Sequence, residues 1–139
     1  MGVRRRGREL ALQMLYQHEL AGTDVDRILE GLEELDDAPS ASRQFAVDLV
    51  RGVLERRAEI DGIIGGQADN WRLDRMAAVD RNILRVALYE LIYETDTPPA
   101  VVIDEAVEIA KRFGSERSSQ FVNGILDGFV HRQPPAQEA

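Results

Sequence analysis

The chain has 139 residues, no cysteine and a formal net charge of −8. That length suits one domain, or two small subdomains sharing a core. The missing thiols exclude disulfides, thiolate metal sites and a cysteine nucleophile. The charge is segregated: Arg4, Arg5, Arg6 and Arg8 give residues 1–8 a charge of +4, while residues 9–139 carry 13 Arg/Lys against 25 Asp/Glu, or −12. A polyanion responds to a local patch, and a Debye length of about 8 Å at physiological salt screens the acidic body from it. A nucleic acid partner is therefore compatible with the negative net charge. No stretch approaches 18 apolar residues and no signal-like apolar run follows the basic start, so a cytoplasmic protein is expected.

The periodicity is helical almost throughout. Residues 4–21 place Leu10, Ala11, Met14, Leu15 and His18 on one arc, with Arg5, Glu9, Gln13 and Tyr16 opposite. Thr23 and Asp24 suit the N-cap of a second helix. Its apolar face is Val25, Ile28, Leu29 and Leu32, and its outer face carries Asp24, Asp26, Glu30, Glu33, Glu34, Asp36 and Asp37. After Pro39 and Ser40, a long third helix is predicted from about Ser42 to Ile64. Phe45, Leu49, Val53, Ile60 and Ile64 lie inward on it, and Gly65-Gly66 stop it. An irregular piece around Trp71 and Leu73 leads into a helix from about Asp74 to Glu94. Val79, Ile83, Leu84, Val86, Ala87, Leu88, Leu91 and Ile92 cover more than one face of that helix, which makes it central. Thr97-Pro98-Pro99 break the chain. Ile103, Ala106, Val107 and Ala110 mark the next helix, with Gly114 as its C′ residue. Ser118 or Ser119 is a candidate cap for the last, which turns Phe121, Ile125, Leu126 and Phe129 inward. Pro134-Pro135 open a polar tail. The expectation is an all-α fold of six or seven helices in two packed three-helix subdomains, at 1–65 and 66–133, with a flexible tail at 134–139.

Catalytic signatures are missing. There is no Gly-Lys-Ser/Thr phosphate loop, no GxGxxG, no GxSxG and no HExxH. His18 reads as a residue at the edge of the core and His131 as solvated. The clustered carboxylates Asp104, Glu105 and Glu108 read as a charged helix face. Neither an enzyme, a metal site nor a cofactor is expected.

Four arginines at a helix start oppose the macrodipole, so helix stability does not explain them. A solubilising tip, pairing with the acidic second helix, and nucleic-acid binding all fit. The last gains from the stripe that arginine, glutamine and tyrosine share: phosphate contact, base-edge contact and stacking on one face. Tyr16 and the lack of a helix-turn-helix signal favour RNA over duplex DNA. Gly7 lies inside the cluster, at about 1 kcal/mol of helix propensity relative to Ala, and predicts arginines that stay flexible until RNA arrives.

Three ordered segments carry a resemblance: "RRRGRELALQMLYQHEL" from Arg4, "VDRNILRVALYEL" from Val79, and "PPAVVIDEAVEIAKRFGSERSSQFVNGILD" from Pro98. Together they resemble the NusB family of bacterial transcription antitermination factors over nearly the whole length. The resemblance implies two perpendicular three-helix subdomains and no catalysis. It implies a role on ribosomal RNA operons: pairing with NusE, a small-subunit ribosomal protein, binding the single-stranded boxA element of nascent RNA, and helping to load an antitermination complex onto RNA polymerase. Its arginine-rich motif falls on Arg4, Arg5, Arg6 and Arg8, with Gln13 and Tyr16 beside it. Its C-terminal motif offers Lys111, Arg112, Phe113, Arg117 and Phe121 on the RNA side, with a core role open for the two phenylalanines. It places a protein-partner surface near Asp80 and Arg81. An alternative is a homodimer that masks the first helix. NusB-like domains also occur fused to RNA methyltransferases, but this chain offers no cofactor-binding domain for methyl transfer.

Overall fold

The structure, a computed structural model, describes residues 2–35, 38–68 and 73–132, with only the backbone described at 32–35. The readings for Leu32, Glu33, Glu34, Asp36, Asp37, Trp71 and the tail at 134–139 lie outside the described residues. Among the described residues seven helices follow in order: α1 Val3–Ala21, α2 Val25–Leu35, α3 Ser40–Glu55, α4 Arg57–Gln67, α5 Ala78–Tyr93, α6 Pro99–Phe113 and α7 Ser118–Arg132. A 3₁₀ turn, Leu73–Arg75, precedes α5. There is no strand among the described residues, and none of their helices is long and apolar enough to cross a membrane.

Two apolar clusters organise the helices. The first joins Leu10, Ala11, Met14 and Leu15 of α1 to Ile28 of α2, to Ala46, Leu49, Val50 and Val53 of α3, and to Val86 of α5. The second gathers Ile60 and Ile64 of α4, Ile83, Leu84, Ala87 and Leu88 of α5, Val102, Ala106, Ile109 and Ala110 of α6, and Val122, Ile125 and Leu126 of α7. Leu12 of α1 reaches this second cluster. The breadth of apolar coverage on α5 predicts a central helix, and residues 82–88 are buried without a break.

The predicted long third helix is two helices. At Arg56 the backbone leaves the helical region (φ −111°, ψ 15°), and its N–H is shared between the Gly52 and Val53 carbonyls at 3.1 and 3.2 Å. The signal was present in the chain: the apolar rhythm of Leu49 and Val53 meets Glu55-Arg56-Arg57 where the next inward residue is due. Breaking there lets α3 face the first cluster while Ile60 and Ile64 of α4 enter the second. Gly65 and Gly66 do not stop α4, which continues to Gln67. Nor does Gly114 take the left-handed conformation (φ −93°, ψ −172°). It is small because Ser118 sits against it, and the Ser115 N–H donates to Ser118 Oγ at 2.8 Å. The left-handed residue is Gly22 (φ 65°), which closes α1 and donates its N–H to the His18 carbonyl at 2.9 Å.

Glycine also sets two helix crossings. A Cβ on Gly7 would meet Phe45 Cδ2 at 2.7 Å and the Ser42 carbonyl at 2.9 Å, and one on Gly52 would overlap the Tyr89 ring. Gly62, Gly65 and Gly66 on α4 face open space. We therefore expect Gly52→Ala to cost about 1–3 kcal/mol by overpacking. Gly62→Ala or Gly66→Ala is expected to stabilise by about 0.5–1 kcal/mol through the unfolded chain and helix propensity. Urea denaturation of the three variants measures both signs, and equal midpoints for all of them would contradict this packing.

Candidate nucleic-acid interface

The amino-terminal arginines are helical from Val3 onward, so the flexibility expected from Gly7 gives way to packing. With no Cβ at Gly7, α1 lies directly on Phe45 of α3. Ser42 Oγ donates to the Val3 carbonyl at 2.8 Å and ties down the first turn. The guanidinium groups of Arg4 and Arg8 lie over the Phe45 ring, 5.2 and 5.4 Å from its centre, an attraction of the cation–π kind. Tertiary contacts thus hold a first turn that the macrodipole disfavours.

The four arginines then part ways. Arg8 is 5% exposed and donates from Nε and Nη2 to the two oxygens of Glu90, both at 2.7 Å, while Glu90 is itself 2% exposed. This is an internal ion pair between α1 and α5. Arg5, with its side chain 31% exposed, forks onto Glu105 of α6 at 3.0 and 2.5 Å. Arg6 lies 3.4 Å from Glu9, one turn along α1. Arg4 is exposed and donates to Thr97 Oγ1 at 2.9 Å. The arginines near Glu105 line an open hollow of about 440 Å³ with Gly2, Thr97 and Val101.

Glu9, expected on the solvent side of α1, is buried. Its other oxygen accepts from Arg112 of α6 at 3.0 Å, so α1 and α6 close on each other here. Above this contact lies an open groove of about 310 Å³, lined by Arg6, Glu9, Leu12, Gln13 and Tyr16 of α1, Val79 of α5, and Arg112 and Phe113 of α6. Tyr16 and Phe113 are unusually exposed for aromatic residues, at 40% and 44%. Arg6, Gln13, Tyr16 and Arg112, separated by up to 106 positions, thus share one groove.

A second hollow of about 630 Å³ is lined by Arg75, Met76, Ala77, Asp80, Ser115, Arg117, Gln120 and Phe121. Asp80 is 9% exposed, and its Oδ1 is buried without a hydrogen-bond partner. An unsatisfied buried acceptor costs about 1–3 kcal/mol, and Asp80 carries that cost beside the hollow it helps to line. Arg81 points elsewhere: Nη1 donates to the Leu73 and Met76 carbonyls at 2.9 and 2.8 Å, and Nη2 to Glu19. It shapes the 3₁₀ turn from inside. Lys111 is exposed beside Glu108, 3.6 Å away.

Sequence reasoning did not find Glu9, Glu90, Glu105 or Phe45 as partners of the arginines. All but Glu9 are distant in sequence, and the stripe on α1 alone placed Glu9 outside. At the other end of α1, Glu19 accepts from Arg81, from Arg85 at 2.9 Å and from Asn82 at 3.1 Å, and Arg85 also forks onto Asp61 at 2.8 and 3.1 Å. Burial pushes the Glu19 carboxyl up, but the hydrogen bonds of Arg81 and Asn82 and the charges of Arg81 and Arg85 outweigh it and hold the group below the usual range. For Glu105 the hydrogen bond from Arg5 leads, and the group is likewise held low against desolvation.

The fold and these hollows define a class: an all-helical, two-core domain that presents an open groove lined by basic and aromatic side chains. Residues 5–131 match the model of the NusB family. The chain is 53% identical to the transcription antitermination protein NusB of Geobacter sulfurreducens, covering 96% of this chain and 98% of that protein. Its likeness to the Myxococcus xanthus protein of the same name is 50%, over 91% and 94%. Among solved structures it resembles T. maritima NusB (43% identity, TM-score 0.82, 97% and 95% covered). It also resembles a chain from the crystal structure of the antitermination factors NusB and NusE in complex with double-stranded RNA (29% identity, TM-score 0.85, 96% and 99% covered). The chain belongs to the NusB family.

A depressed carboxylate contributes stability above its unfolded pKa and loses it as pH falls through the folded value. Glu19 and Glu105 should therefore hold the fold steady above about pH 5 and release it as pH drops below the ordinary glutamate value of about 4.3. Glu19→Gln is expected to flatten this acid limb in urea midpoints taken across pH. Breaking the deeper pair with Glu90→Ala should cost about 3–5 kcal/mol, since it leaves the buried Arg8 only its longer 3.5 Å contact with Glu105.

Proposed function

We propose that this protein is a transcription antitermination factor that, with NusE, binds the boxA element of nascent ribosomal RNA transcripts and carries it toward an antitermination complex on RNA polymerase in the cytoplasm. It acts as an adaptor and not as an enzyme. One observation carries this reading: Arg6, Gln13 and Tyr16 of α1 line one open groove with Arg112 and Phe113 of α6.

The side chains divide the work of recognising a single strand. Arg4 and Arg5 contact phosphates, which supplies affinity without sequence information. Tyr16 and Phe113 offer exposed rings on which unstacked bases lie, worth about 1–3 kcal/mol per base. Gln13 and the Asp80 carboxylate at the edge of its hollow meet base edges, the carboxylate accepting from a ring or exocyclic N–H. Arg112 and Arg117 extend the cationic rim, and Phe121 forms part of the wall of the Asp80 hollow. Arg8 positions the others and touches no RNA. Arg81 holds the 3₁₀ turn that borders the hollow, and NusE completes the surface near Asp80. The acidic remainder of the chain repels strands that miss the groove.

The test is a titration of short boxA-type and scrambled RNAs, with and without NusE. With Arg4, Arg5, Arg112 and Arg117 engaged, log K against log[salt] should fall with a slope of about −3 for a single strand. Arg4→Ala should weaken every RNA alike and flatten the slope by about 0.7. Asp80→Asn and Tyr16→Ala should instead reduce the preference for boxA over scrambled RNA, by about tenfold. A slope near zero, or scrambled RNA binding as tightly with NusE present, defeats the reading. Sedimentation with and without RNA reports whether a dimer competes for the same face.

A further inference from the structure

Glu105 stands among the cations of the α1 end. It is the one carboxylate lining the 440 Å³ hollow, where Arg4, Arg5, Arg8 and Thr97 supply the other polar side chains. Its two oxygens accept from Nε and Nη2 of Arg5 in the side-by-side geometry that a guanidinium also offers to a phosphodiester. Oε1 lies in addition 3.5 Å from Arg8 Nη1, the nitrogen that Glu90 does not use.

The two arginines differ in what they can release. Arg8 is enclosed and held by Glu90, whereas Arg5 lies at the edge of solvent with its side chain 31% exposed. Giving up Arg5 leaves Glu105 with a charged partner in Arg8, so the carboxylate is not stranded. Giving up Arg8 would break a buried pair. The exchange can therefore occur in one direction only.

We propose that Glu105 is an internal substitute for an RNA phosphate. It occupies the Arg5 fork in the free protein and stays with Arg8 when a phosphodiester takes that fork. Because the carboxylate must be displaced, a lone phosphate contact gains little, and only a strand making several contacts at once binds firmly. Glu105 thereby sets how strongly the protein rejects RNA that fits the arginines but not the groove. The inference rests on the RNA-binding reading above.

Glu105→Gln keeps the shape and removes the charge. Binding of boxA-type and scrambled RNA should both rise about three- to tenfold, the scrambled RNA at least as much, with the gain abolished in an Arg5→Gln background. A second measurement needs no variant at residue 105: on adding RNA, the side-chain Nε–H signal of Arg5 should move in the NMR spectrum while that of Arg8 stays. Unchanged or weaker binding by Glu105→Gln, an equal gain without Arg5, or an Arg5 signal that RNA does not move overturns the proposal. Failure of the wild type to bind either RNA is a different result, visible in the first arm alone, and removes the RNA-binding reading and this inference together.

Discussion

Arg8 and Glu90 form a forked ion pair with almost no exposed surface, joining α1 to α5 between the two apolar clusters. Removing two charges from water costs several kcal/mol each, and only close geometry with full hydrogen bonding offsets it. Such a pair therefore tolerates few arrangements. Its planar fork fixes the rotation and register of α1 on α5. That register sends Leu10, Ala11, Met14 and Leu15 into one cluster and Leu12 into the other. It also decides which way the neighbouring arginines point. Arg4 and Arg5 emerge toward Thr97 and Glu105, and Arg6 turns to the groove.

A second network closes the far end of α1. Glu19, eleven residues from Arg8 and so about 16 Å along the helix, ties α1 to Arg81 and Arg85, and Arg85 continues to Asp61 of α4. The helix is thus clamped to α5 near both ends, with the Tyr16 groove between the clamps. Glu9 and Arg112 add a crossbar to α6. The groove side chains are thus held at fixed spacing before any partner arrives, an arrangement that lowers the ordering cost of binding. The basic cluster is accordingly two things at once: a set of internal fasteners and a set of contacts at the edge of solvent. The fasteners hold the contacts in place.

Much of the architecture could be read along the chain. The 3.6-residue rhythm of α5, apolar on several faces, marks it as the centre, whereas Pro99, read as part of a chain break, is the first residue of α6. The wheel of α1 placed Gln13 and Tyr16 together, and they are together. Other readings went astray for definable reasons. The glycines of α4 looked like a stop, yet exposed glycines in a helix held by Ile60 and Ile64 need not end it. Glu9 looked solvated because a wheel shows one helix and not the α6 lying against it.

Local pattern, charge segregation and three ordered motifs determined the helical class, the family and the end of the molecule that carries positive charge, because each depends on residues near one another in sequence. Tertiary structure alone decided which arginines are free to act. Arg5 meets Glu105 across 100 residues and Arg8 meets Glu90 across 82. An ion pair depends on distance in space, burial and the direction of a guanidinium plane, and none of these is encoded in the spacing of charges along the chain.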